Sequence, residues 1–232
     1  MRVRAGLSFS KTAAAGFSSA DLLVVLAALL LLATIAGASW TNTRDCNRLA
    51  LCKSRLEKIN HAVLDYTVDN NGMLPAPEPG VMKPHWWWYK EQVKGYIGLR
   101  GPSSALDKEF ACPSDRGYDD NQPFRKSEKS DFSSYTYNGV NVPGLPHISG
   151  RNFGTINEPG RTLLVMEWTA HAPLSWHGSR TGSKNHPFYN DAESVVGFLD
   201  GRVELIPIYY DGINAAYTRD PIPGYDYKYS GN

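Results

Sequence analysis

The segment Gly16-Phe17-Ser18-Ser19-Ala20-Asp21-Leu22-Leu23-Val24-Val25-Leu26 runs on apolar to Ala38, and between Gly16 and Trp40 its one charged residue is Asp21. A helix from Leu22 to Ser39 covers about 27 Å at about 1.5 Å per residue, most of a hydrocarbon core of about 30 Å. Trp40 then falls where an interfacial aromatic belongs. An acid at the lip of such a helix costs roughly 2.5–3.5 kcal/mol if it reaches the bilayer centre, so it demands a partner or a function. Met1 to Gly16 carries Arg2, Arg4 and Lys11 without an acid, which favours a cytoplasmic leader. Arg44, Arg48, Lys53, Arg55 and Lys58 follow the span and oppose that orientation.

Three fates fit this segment. A secretory signal peptide would be cut after the apolar stretch, where Ala36-Gly37-Ala38 offers a small-residue site. A signal anchor would stay uncut. The third is a cut after Gly16, ahead of the apolar stretch, leaving Phe17 as first residue and Asp21 as fifth.

Helical signal continues past Trp40. Leu49, Cys52, Leu56, Ile59, Val63 and Tyr66 recur at spacings of three and four and form one apolar stripe, with Arg48, Lys53, Arg55, Glu57, Lys58 and Asp65 on other faces. Asn70-Asn71-Gly72 tolerates the left-handed conformation that closes a helix, and Pro75 follows. One helix from Ser18 to Asn70 is expected, far beyond the globular mean of about 12 residues. A membrane half (17–40) continuing into a domain-packed half (41–72) supplies the reason, with residues 73–232 as a globular head.

The head reads as short strands between turns. Ser134-Tyr135-Thr136-Tyr137 alternates ahead of Asn138-Gly139, and Thr162 to Trp168 is a strongly apolar strand. Val195 to Leu199, Asp200-Gly201 and Arg202 to Ile206 read as a hairpin on a two-residue turn, pairing Phe198 with Val203 and Val196 with Leu205 on one core face. The sheet is expected to be antiparallel and covered on one side, with the tyrosine-rich stretch from Asp211 to Asn232 wrapping the surface as a coil. The fold class is therefore α+β.

With 232 residues, 42% of them hydrophobic, the chain suffices for one compact domain plus an appendage, and a formal charge of +1 disfavours nucleic acid. No Gly-x-Ser-x-Gly, P-loop or dinucleotide fingerprint occurs. His171, His177, His186 and Asp191 cluster without a standard zinc spacing, and Asp69, Asn70, Asn71, Asp119 and Asp120 lack a calcium-loop pattern, so exposed loop histidines, caps and turns are the readings adopted and neither metal nor cofactor is expected. Trp86, Trp87 and Trp88 cannot all face one core on a regular period. They are either a carbohydrate-stacking platform or a short helix whose rings cover the long helix. Cys46 and Cys52 lie about 240° apart on the helix, which opposes a bridge between them. Cys112 can instead reach the stripe and bond Cys52, stapling helix to head, the alternative being buried free thiols.

Gly16-Phe17 and Asp21 ahead of Leu-Leu-Val-Val resemble the start of type IV pilins and type II secretion pseudopilins. Cys52, Leu56, Ile59, Tyr66, Asp69 to Gly72, Val93 to Gly98, Cys112 to Asp115, Ser134 to Gly139 and Leu199 to Val203, in that order, resemble a branch abundant in Planctomycetes and Verrucomicrobia, similar to the major pseudopilin and carrying an H-X9-DG segment. The resemblance implies a pilin-like fold, a long N-terminal helix packed on a C-terminal antiparallel sheet, and a structural subunit rather than an enzyme. It implies a leader (1–16) removed after Gly16 by prepilin peptidase, methylation of the Phe17 amine, and a charge pair between Asp21 and the neighbouring subunit's amine. Its partners would be that peptidase, other pilin or pseudopilin subunits and an inner-membrane assembly platform. The protein would span the inner membrane once, its head in the periplasm or on an extracellular filament. Two positions depart from the family: the fifth residue is Asp21 where Glu is usual, and Asn190, separated from Asp200-Gly201 by nine residues, stands where the family has His. A secreted or membrane-anchored carbohydrate-binding module or hydrolase is the alternative, with Trp86 to Tyr89 as its platform.

Overall fold

The structure, a computed structural model, describes residues 18–78, 86–118, 122–140, 142–172, 174–179, 192–210 and 220–232. The chain divides into two compact units, one ending at Arg44 and the other running from Asp45 to Asn232. Helix α1 (Ser19–Asp69) is continuous in both.

In the first unit the apolar side chains are uncovered: Leu22 is 53% exposed, Leu30 69% and Trp40 73%. Among the described residues α1 is the one helix long and apolar enough to cross a membrane. In the second unit its apolar stripe is buried, with Cys52, Leu56, Ile59 and Val63 fully covered and Leu49 and Tyr66 packed at the margins. The stripe is narrow because a three-and-four spacing keeps to one side of a 3.6-residue turn. The helix stops where expected: Asn71 and Gly72 adopt positive φ, and the Gly72 amide donates to Thr67 O at 2.8 Å, a Schellman-type closure.

After a turn at Trp86–Trp88 comes the short helix α2 (Tyr89–Val93). Strands β1 (Tyr135–Tyr137), β2 (Leu163–Glu167), β3 (Glu193–Phe198) and β4 (Val203–Pro207) form one antiparallel sheet in the order β1-β2-β3-β4. The fold is α+β, a long N-terminal helix with a C-terminal four-stranded antiparallel sheet.

Two expectations about the sheet are corrected. Gly197 pairs with Val203, Val196 with Glu204 and Val195 with Leu205, one residue away from the expected register. The loop is three residues, Leu199-Asp200-Gly201, closed by the Phe198 amide donating to Arg202 O and the Gly201 amide donating to Phe198 O, with Gly201 at φ 95°. A three-residue hairpin loop puts its glycine in the left-handed region, whereas a two-residue loop does not shift the pairing. The slip sends Phe198 and Val203 to opposite faces.

The sheet is also covered on both sides. Leu164, Val165, Val195 and Leu199 join the α1 stripe in one core. Leu163, Met166, Val196 and Phe198 build a second core with Ile208, Ile222, Tyr227 and Tyr229. The C-terminal coil is thus a covering layer, anchored where the Leu163 amide donates to Lys228 O at 3.0 Å and the Lys228 amide donates to Arg161 O at 2.9 Å.

Candidate functional site

Gly16 and Phe17, the expected cleavage and methylation positions, lie outside the described residues. Just beyond them Ser18 and Asp21 form a reciprocal cap. The Ser18 amide and hydroxyl both donate to Asp21 Oδ2, at 2.9 and 2.8 Å, while the Asp21 amide donates to Ser18 Oγ at 3.2 Å. This is a capping box: two otherwise orphaned donors at the helix start are satisfied, and a carboxylate sits at the positive end of the helix dipole. The sequence signal, Ser followed three residues on by an acid ahead of an apolar run, was present and was missed.

In the head, Cys52 on α1 is bonded to Cys112, with Cα atoms 5.0 Å apart, and Cys46 is free and exposed. The Cys112 side is held by its neighbours. The Cys112 amide donates to Ser134 Oγ at 2.9 Å, and that hydroxyl donates to Asp115 Oδ2 at 2.7 Å. Asp115 also accepts the amides of Gly117, Phe124 and Arg125. Burial pushes its carboxyl above the ordinary carboxylate range, and the four donors oppose that shift. The Cys112-Pro113-Ser114-Asp115 sequence is therefore a loop organiser. The Arg55 guanidinium, from the helix side, donates to Ala111 O at 2.5 Å.

Against this disulfide lies a pair that the sequence did not announce. His177 is 7% exposed and Glu167 fully buried, so His177 is not an exposed loop histidine. His177 Nε2 is 2.9 Å from Glu167 Oε1 and 3.7 Å from Cys112 Sγ, and Glu167 Oε2 accepts the Val195 amide at 3.0 Å. Four metal-ligating side chains, Cys52, Cys112, Glu167 and His177, have their donor atoms within 4.8 Å of one another. Three distant segments and α1 converge there, so no local spacing announced it. His171 is buried too, at 1% exposure, beside Trp86, Trp168 and Tyr229. Desolvation lowers its pKa from 6.5 to about 3, so it is neutral at ordinary pH. His186 and Asp191 lie outside the described residues, and so do Asp119 and Asp120. Asp69 accepts the Tyr96 hydroxyl at 3.0 Å, and Asn70 Nδ2 donates to Tyr66 O at 2.7 Å, both serving the end of α1.

The three tryptophans all meet the core, because they occupy a turn and not a regular element. Trp87 and Trp88 are each 6% exposed, and Trp86 is packed against the same cluster. Their indole nitrogens tie down β1 and its flanks: Trp87 Nε1 donates to Ser133 O at 3.1 Å and Trp88 Nε1 to Gly139 O at 3.2 Å. Trp87 stacks on Trp168 at 5.1 Å, and Trp86 meets Trp168 edge-on at 4.9 Å. A cleft of about 710 Å³ opens beside them, lined by Trp86, Trp87, Tyr118, Phe124 and Trp168 with Gln122, Ser127, Lys129 and Ser130. Trp87 and Trp168 stack on each other, and Trp88 does not line the cleft, so Trp86, Trp87 and Trp88 do not form one platform there.

Neither the protein-family models, nor the curated proteins, nor the solved structures contain a match to this chain.

Proposed function

We propose that the protein is a pilin-like structural subunit of a type II secretion pseudopilus or type IV pilus-like filament, processed after Gly16 by prepilin peptidase. The observation that carries this reading is the unbroken helix Ser19–Asp69, apolar and uncovered around Leu22 to Trp40 and buried along Cys52, Leu56, Ile59 and Val63. A cut after Gly16 would free an amine at Phe17, one residue from the capping box. Asp21 uses Oδ2 for its own Ser18, and its second carboxylate oxygen is the acceptor we assign to the Phe17 amine of a neighbouring subunit. Pairing would neutralise both charges in a low-dielectric bundle, where an unpaired charge is strongly unfavourable. Hydrophobic contact between the uncovered helix segments supplies the rest of the assembly energy once they leave lipid. The peptidase, the other subunits and an inner-membrane platform are the partners, and the chain acts as a substrate of processing.

The test is filament recovery. Asp21→Ala is expected to leave membrane insertion and head folding intact while reducing the subunit recovered in sheared filaments, with Asp21→Glu recovering it. An unchanged filament yield for Asp21→Ala contradicts the charge-pair role.

A further inference from the structure

We propose that Cys52, Cys112, Glu167 and His177 form a zinc site in the dithiol state of this chain, so that α1 is linked to the Cys112 loop by a disulfide when oxidised and by a zinc ion when reduced. This goes beyond the assembly role and does not depend on it.

A disulfide needs no ionisable company. Burying a histidine and a carboxylate beside one costs desolvation that their attraction only partly returns, and a hydrophobic pair of similar volume serves stability as well or better. Two sulfurs, an imidazole nitrogen and a carboxylate oxygen are, however, the donor set of a four-coordinate zinc centre. The donors converge, one pair already at the tetrahedral spacing, while the bonded sulfurs would part on reduction and the histidine–carboxylate pair would open. Bonds of about 2.3 Å to sulfur and about 2.0–2.2 Å to nitrogen and oxygen put tetrahedral ligand atoms about 3.3–3.8 Å apart. Cys112 Sγ and His177 Nε2 are 3.7 Å apart, His177 Nε2 and Glu167 Oε1 2.9 Å, and all four donors fall within 4.8 Å.

The surroundings are those of a supported site. Glu167 Oε2 is held by the Val195 amide, Tyr135 donates its hydroxyl to Cys52 O at 3.1 Å, and the Cys112 amide is fixed on Ser134. Groups that orient ligands in this way raise affinity and define geometry. All four ligands are buried, which excludes competing water.

The chemistry balances with a named reductant. Two thiols reduce the S–S bond and are themselves oxidised to a disulfide; a phosphine does the same and becomes its oxide, water supplying the oxygen. Cys52 and Cys112 each gain a proton and lose it again to solvent when Zn²⁺ forms its two sulfur bonds. The His177 proton moves from Nε2 to Nδ1, leaving the Nε2 lone pair for the metal, and Glu167 Oε1 exchanges its histidine hydrogen bond for the fourth metal bond.

The experiment uses the full chain in detergent, carrying Cys46→Ser so that the exposed thiol does not contribute. Oxidised and phosphine-reduced samples are loaded with Zn²⁺, desalted and assayed for metal, and Co²⁺ is used in parallel as a spectroscopic probe. The reduced chain is expected to retain one ion per chain and to give a tetrahedral, thiolate-ligated Co²⁺ spectrum, and the oxidised chain to retain none. His177→Gln and Glu167→Gln, checked for native circular dichroism in their oxidised forms, are expected to lose retention on reduction. Equal retention by the oxidised and reduced Cys46→Ser chain overturns the proposal, and so does undiminished retention in a folded His177→Gln variant. Either result leaves Glu167 and His177 as a device that positions β2 against β3. Should a variant fail to fold, the redox comparison of the Cys46→Ser chain decides alone.

Discussion

Asp21 has a local occupation, capping its own helix through Ser18, and that shapes what it can do for a neighbour. A capping carboxylate is held at the first turn, so its position is set before assembly. His171 is the residue in the head with the clearest acid signature. Its pKa is about 3 in the fold against 6.5 for a solvated histidine, so below pH 6.5 the unfolded chain takes up a proton that the folded head refuses. Its contribution is fully present above pH 6.5 and is lost as pH falls toward 3, at up to about 1.4 kcal/mol per pH unit. Denaturation of the head measured between pH 7 and pH 4 should show this loss, and His171→Leu should flatten the slope. An identical slope in the variant contradicts the assignment.

At the scale of elements, α1 and β3 approach closely at Gly197. A Cβ there would stand 2.6 Å from Asn60 Oδ1 and 3.0 Å from Val165 O, and Asn60 is itself fixed by donating to Phe198 O at 2.9 Å. Gly197→Ala is therefore expected to destabilise the head by about 1–3 kcal/mol, read by denaturant titration. Losing the staple should cost more. Cys52→Ser with Cys112→Ser removes a cross-link spanning 60 residues, worth about 4 kcal/mol in the chain-entropy model.

Elements were unequally legible in the sequence. The three-and-four spacing from Leu49 to Tyr66 and the Asn71-Gly72 stop define α1 because both are local. The β3–β4 register was misread because Asp-Gly also serves a three-residue loop, and only the pairing decides which. The Glu167–His177 pair was invisible, since Glu167 sits in an apolar strand and meets His177 through tertiary packing. Three adjacent tryptophans defeated a periodicity argument because a turn has no period.

For the whole molecule, the sheet carries two cores, one against α1 and one under the C-terminal coil. Deleting residues 220–232 should expose Met166, Val196 and Phe198, lower head stability and raise binding of a hydrophobic dye; an unchanged melting curve contradicts the covering role. The central claim is that this chain enters a membrane by its N-terminal helix and leaves it as a subunit freed from its leader. The most direct measurement is the N-terminal sequence of the mature protein isolated from its native membrane. A start at Phe17, methylated on its amine, is the predicted result. A start at Ser39 or an intact Met1 contradicts the account.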